Sequence, residues 1–377
     1  MSEFTENPVE VTATPTIKKP FNKKKAIIAS VVAGALIVVG AVGVTAFKSR
    51  PDVRLVTALS NLFGDKNVEM GFSVQMSPEF MTAMGMTDAD VLEMGRPGIT
   101  TVTDAATALG LMELRIASLD ESSSDDKLSS RMQLAYGEKS IMDLTLIDRV
   151  LYLSTDAMTM PEQSPQLVSQ EEVDGVMSAL SFYSSMAPQI SGALEALTGG
   201  QAISLNFEKG TALGDAFDEY IKSTEDSAMS SKVLDQLKDA NGSALRDSAT
   251  VLSKGKDNTG DIFVLSIDIY KYLKAMKNPI LELAKSQLDV LGTDLSGESK
   301  EFMQGIKEFK GKTLDIKTWL DGDNLVRLEI DLTQFVAADQ GLNAWSAAIR
   351  MNISEANIVA PSNPYDITQD LLSLGLI

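Results

Sequence analysis

A chain of 377 residues, 44% hydrophobic and 23% charged, is long enough to bury a substantial core, in one large domain or two modest ones. It contains neither cysteine nor histidine, which removes disulfides, thiolate metal sites, a lipobox cysteine and the commonest general base, so zinc sites and histidine-based hydrolytic triads are excluded. The formal net charge of −19 is uneven: residues 1–50 carry seven Lys/Arg against three Glu, a net +4, leaving −23 on the rest.

The first residues, "MSEFTENPVEVTATPTI", show no periodicity and contain Pro8 and Pro15, so residues 1–25 are expected to form a disordered basic tail. The next stretch, "KKPFNKKKAIIASVVAGALIVVGAVGVTAFKSR", has no charge from Ala26 to Phe47. At about 1.5 Å per residue it matches the roughly 30 Å hydrocarbon layer, so residues 26–47 read as a transmembrane helix. Lys18, Lys19, Lys23, Lys24 and Lys25 crowd its N-terminal flank, against Lys48, Arg50 and Arg54 beyond it, so the positive-inside rule puts the N-terminus in the cytoplasm. A cleaved signal peptide is the competing reading, with Val44-Thr45-Ala46 as a small-residue site. The apolar run is far longer than the ~7–15 residues of a signal core, which favours a retained anchor. Residues 48–66 are then a juxtamembrane linker or helix and 67–377 an extracytoplasmic domain of a single-pass cell-membrane protein. The acidic charge of that domain repels nucleic acid and anionic headgroups, so neither is an expected partner.

Beyond Asn67 short segments alternate as strands do: "NVEMGFSVQM", "LMELRIASL", "LSSRMQLAYG", "SIMDLTLID" and "RVLYLSTDA". Asp148-Arg149 and Asp321-Gly322-Asp323-Asn324 are hairpin bends. An apolar stripe through Val173, Met177, Leu180, Tyr183, Ile190, Leu194 and Leu197 predicts a helix broken at Pro188. Further helices are expected at 213–221, 233–237, 270–291 and 302–309, and strands at 202–207, 249–254, 261–269, 313–320, 325–332 and 347–354. Runs of strands outnumber βαβ units, so the fold class is α+β: a large antiparallel sheet packed with helices.

The order "MDLTLIDRVLYLSTDAM", a helix running into "ALTGGQAISLNFEKGTALGDAFDEY", then "LSKGKDNTGDIFVLSIDIYKYLKAM" and "DIKTWLDGDNLVRLEIDLTQF" resembles the actinobacterial LppX/LprAFG-type lipoproteins and their LolA-like relatives. The likeness covers most of Asn67 to Asn357 and is one of layout and a few phrases. It implies a strongly curved antiparallel half-barrel whose concave face, covered by helices, holds acyl chains during lipid transport through the cell envelope. Those proteins are acylated at a lipobox cysteine, which this chain lacks. Here the transmembrane helix would take that place, which puts shuttling between membranes in doubt.

"MSPEFMTAMGMTDADVLEMG", Met76 to Gly95, is the densest methionine stretch. Ser77 with Pro78 opens one short helix and Gly85 interrupts it; Thr87-Asp88-Ala89-Asp90 has capping-box spacing, and Gly95 and Pro97 end the second helix. Three readings stand for its side chains. They are core filler, since Met fits irregular gaps; or Phe80, Met81, Met84 and Met94 form a deformable apolar lid over a lipid groove; or Met81, Met84 and Met86 capture Cu(I) through soft sulfur. Carboxylate clusters at Asp120–Lys127 and Lys256–Asp261 fit no EF-hand pattern and read as polar turns. Paired carboxylates such as Asp268 with Asp331 could support acid/base work, but strand alternation puts most such residues on a wet face. No catalytic residue, cofactor or metal is expected. The expected partner is a lipid or other apolar small molecule, and the competing class is a non-catalytic envelope sensor or assembly protein with a filled core.

Overall fold

The structure is a computed structural model and describes residues 67–120, 128–155, 191–227, 243–288, 304–336 and 341–374, with helical positions 54, 55, 58, 175, 178 and 185 besides. The expected tail, the apolar span 26–47, the turn after Asp120 and the helix at 233–237 lie outside these residues. Among the described residues no helix is long and apolar enough to cross a membrane.

Among the described residues twelve strands form one open sheet: β1 (Val68–Met76), β2 (Met112–Asp120), β3 (Leu128–Tyr136), β4 (Lys139–Ile147), β5 (Val150–Thr155), β6 (Ile203–Asn206), β7 (Ala249–Lys256), β8 (Asp261–Asp268), β9 (Thr313–Asp321), β10 (Asn324–Asp331), β11 (Ala347–Glu355) and β12 (Tyr365–Asp366). Their order is β12-β6-β5-β4-β3-β2-β1-β11-β10-β9-β8-β7. All neighbours are antiparallel except β12 with β6, so the sheet is mixed at one edge. Helices among the described residues include α1 (Pro78–Ala83), α2 (Asp88–Glu93), α3 (Val102–Leu111), α4 (Ser191–Thr198), α5 (Ala212–Ser227), α6 (Ile269–Leu288), α7 (Thr333–Val336) and α8 (Thr368–Ser373). An α+β fold with a large sheet is therefore the architecture.

Local chemistry explains the tight turns. Asp148 and Arg149, with φ of 46° and 70°, form the two-residue turn between β4 and β5, a geometry whose twist suits a hairpin. Gly322, at φ 60°, turns β9 into β10.

Register sorts the side chains onto two faces. Ile203, Leu153, Leu144, Met132, Ile116, Met70 and Ile353 are successive cross-strand partners, and so are Met142, Leu134, Leu114, Phe72, Met351 and Leu328. This face is apolar over at least eight strands. Over β8–β11 it is covered: Ile269 and Leu273 of α6, Ile306 and Phe309, and Leu55 and Ala58 before the sheet all pack into one buried cluster with Phe263, Leu265, Ile316, Leu328 and Ile330. Positions ahead of Asn67 thus contribute to the domain's core. A second cluster, with Met81, Val91, Ile99, Val102, Tyr136 and Ile141, joins α1–α3 to the ends of β3 and β4.

The opposite face is a ladder of polar partners. Arg115 Nε donates to Glu113 at 2.7 Å, Asn352 donates to the other Glu113 oxygen at 2.8 Å, Arg350 donates to Glu329 at 2.7 Å and Gln133 to Asp143 at 3.0 Å. Arg131 pairs with Glu69. These long side chains lie over the small residues between them, which is why Ala117, Ala135 and Thr145 are buried on a polar face.

Candidate functional site: an apolar sheet face and a methionine-lined groove

Among the described residues, no buried cluster lies over the middle of the apolar face from β2 to β6. Leu114, Ile116 and Met132 are 38%, 40% and 38% exposed, and Leu144, Leu146, Leu151, Leu153, Ile203 and Leu205 are half-buried. Contiguous exposed apolar surface of this kind marks binding sites in soluble domains.

At the end of the same face, β1 runs into α1. Phe80 N–H donates to the Ser77 hydroxyl at 3.1 Å, and Pro78 occupies the first turn, so the helix starts where the sequence predicts. Gly85, at φ 92°, ends the turn after it. Thr87 and Asp90 exchange both hydrogen bonds of a capping box, with Thr87 N–H donating to the Asp90 carboxylate at 2.8 Å. The Thr87 hydroxyl and then its backbone N–H hold the Asp90 carboxyl below the ordinary aspartate range. Asp88 accepts from Val102 N–H at 2.7 Å, tying α2 to the start of α3.

Between these helices and the sheet lies an open groove of about 510 Å³, lined by Met76, Phe80, Met81, Met84, Gly85, Met86, Asp90, Leu332 and Ala347. Its floor is fixed by backbone bonds. Ser77 N–H donates to Ser346 O at 2.7 Å and Leu332 N–H to Ala347 O at 2.8 Å. Buried Asp331 accepts from Thr333 N–H at 2.9 Å and from Trp345 N–H at 3.1 Å. Trp345 sits at φ 68°, a rare conformation for a bulky residue, with Lys317 Nζ 4.3 Å from its ring centroid.

Of the four residues expected in an apolar lid, Phe80, Met81 and Met84 come together on this groove and Met94 does not line it. Phe80 and Met81 are buried, at 2% and 7%, whereas Met84 and Met94 are 56% and 54% exposed. Sequence reasoning leaves out Met76, Leu332, Ala347 and the groove role of Asp90. Met76 had a signal, since strand alternation from Met70 and Phe72 puts it on the apolar face; Leu332 and Ala347 arrive through non-local pairing and had none.

The other singled-out groups hold structure. Asp257 accepts from the Trp319 indole at 2.8 Å and from Thr259 N–H at 2.7 Å, contacts that lower its pKa and close the turn before β8. Asp268 accepts from Lys271 N–H at 2.9 Å, while Asp331 braces the groove floor. Each carboxylate has its own local task. Tyr136 is buried in the second cluster, which pushes its phenol pKa up.

Comparison with protein-family models, with curated proteins and with solved structures finds no match for this chain.

Proposed function

We propose that this chain is a single-pass membrane protein whose extracytoplasmic domain binds a lipid or other apolar ligand without catalysing a reaction. The observations that carry the reading are the apolar sheet face from β2 to β6, over whose middle the described residues place no buried cluster, and a groove at the end of β1 lined by four methionines. A volume of about 510 Å³ falls within the roughly 300–1,000 Å³ of small-molecule sites. Methionine is the side chain best suited to repack around chains of varied shape. The resemblance to the LppX/LolA-like layout supports the same reading, with the half-barrel curvature as part of the proposal. The uncharged span 26–47 with its lysine-rich flank supports the anchor and the orientation.

The test is photolabelling of the full chain in its own membranes with an aliphatic diazirine. Adducts are expected on peptides carrying Leu114, Ile116 and Met132 as well as on the span 26–47, which is the internal control. Labelling of the span alone overturns the ligand reading. The packed cluster over β8–β11 favours a second reading, an envelope sensor or assembly protein with a filled core. On that reading the same face is shielded by protein, and cross-linking yields a protein adduct in place of the alkyl label.

A further inference from the structure

We infer that the groove selects amphiphiles with a cationic head group, an ammonium or amine seated at Asp90 while the chain lies against the methionines. The inference rests on the apolar-ligand reading and narrows its chemistry.

Met76, Met81, Met84, Met86 and Phe80 provide an adaptable apolar wall, so chain length and branching are weakly discriminated there. Selection then falls to charge. Asp90 is the single charged residue among those lining the groove, and its carboxylate is kept ionised by the two Thr87 donors. Those donors come from one side, within its own helix cap, so the charge is not cancelled by a lysine or arginine of the lining. The field around it has the same sign: Glu79 on α1 and Asp88 and Glu93 on α2 are all exposed, against Arg96 as the basic residue of Met76–Pro97. An anionic head would meet this rim as a like charge; a cation gains from it. A groove of about 510 Å³ also suits a small amphiphile better than a helical peptide, which needs a longer trough.

The experiment uses the full chain in phosphatidylcholine nanodiscs, with methionine methyls labelled for NMR, and empty nanodiscs as blank. Three short-chain probes are titrated: hexyltrimethylammonium, hexanesulfonate and hexyl glucoside. The expected result is that hexyltrimethylammonium shifts the Met84 and Met86 methyls at concentrations about tenfold below hexanesulfonate. High salt and Asp90→Asn, which keeps an acceptor for the cap, should each close most of that gap. Equal affinities for all three probes overturn the charge selection and leave the apolar-ligand reading standing. No shift with any probe removes the ligand reading itself. If a lysine-rich amphipathic peptide shifts these methyls and hexyltrimethylammonium does not, the occupant is a protein segment and the inference is wrong.

Discussion

Met81 and Met84 line the same groove from opposite sides of the surface, one 7% and the other 56% exposed. The same substitution should therefore do different things at each. Met84→Asp puts a carboxylate where water already reaches it, so stability should change by no more than about 0.5 kcal/mol while retention of an apolar ligand falls. Met81→Asp buries an unpaired charge in the second cluster and should cost roughly 3 kcal/mol or more, whereas Met81→Leu, close in volume, should stay under about 1.5 kcal/mol. Urea unfolding of the three variants beside a binding assay separates the effects; equal destabilisation by both Asp variants would refute this division of roles. The difference in exposure has a geometric reason. Met84 N–H still reaches Phe80 O at 3.0 Å across the last turn of α1, so the spacing by four holds and Met84 lines the groove beside Phe80 from its exposed rim. Met94 caps α2 one residue past Glu93 and is not among the groove-lining residues. Asp331 was legible as a strand residue but not as the brace of the groove floor, because Trp345 reaches it only through the pairing of β10 with β11. Its replacement by Ala orphans two backbone donors in a buried setting and should cost about 1–3 kcal/mol.

Short helices over this site hold their shape through caps, and caps titrate. Asp104 accepts from Thr100 and Thr101 as Asp90 does from Thr87, and both carboxyls are held below their ordinary range by those donors. With the folded pKa below the unfolded one, the stability these groups add is full above the unfolded aspartate pKa of about 4 and fades as pH drops through the lower folded value. Acidification should thus lose amide protection at Val91 and Ala105, the first donors inside α2 and α3, before it does so in β9. Uniform loss across both would show that the caps do not set local stability. A second element-level lock is Arg149. Its Nε donates to Phe207 O at 2.8 Å, its second nitrogen pairs with Asp218, a third reaches Gly214 O at 3.1 Å, and its plane lies 5.1 Å over the Phe217 ring. Lysine offers neither the fork nor the plane, so Arg149→Lys should raise hydrogen exchange in the first turns of α5 while leaving β4 and β5 protected. Exchange that rises equally in the hairpin would refute this. Strands such as β8, β9 and β11 were readable because period-two alternation is written in adjacent residues. By contrast, α3 was missed although Thr101-Val102-Thr103-Asp104 carries capping-box spacing, because its small alanines give a weak stripe beside the strand-like "LMELRIASL". The two residues of β12 exist only by lying parallel to β6, a contact across 162 positions that no local pattern encodes.

At the scale of the molecule, the proposed anchor and the fold together predict which end of the sheet would face a membrane. Arg54 follows Phe47, the last residue of the uncharged span, by seven positions, so at most about 25 Å of chain separates them. Arg54 donates to Asp261 and to Gly322 O, each at 2.6 Å, and Leu55 and Ala58 beside it are buried in the main cluster. The ion pair is partly exposed and contributes little by itself; burial of the two apolar side chains is what fixes the segment. On the proposed anchor, the start of β8 and the β9–β10 turn would be tethered close to the bilayer. From that turn β10 runs eight residues, about 26 Å, to Asp331, and the next residue, Leu332, lines the groove. With the strands standing off such a membrane, the groove would lie at the end of the sheet away from it, and the proposed ligand would arrive from beyond that membrane's surface. The absence of native cysteine makes the test clean. Fluorophores on Lys256→Cys, beside the tethered end, and on Glu93→Cys, on exposed α2, are compared in nanodiscs carrying headgroup spin labels. Quenching of the first and not the second is expected, and strong quenching at Glu93→Cys would place the groove at the bilayer and reverse the assignment.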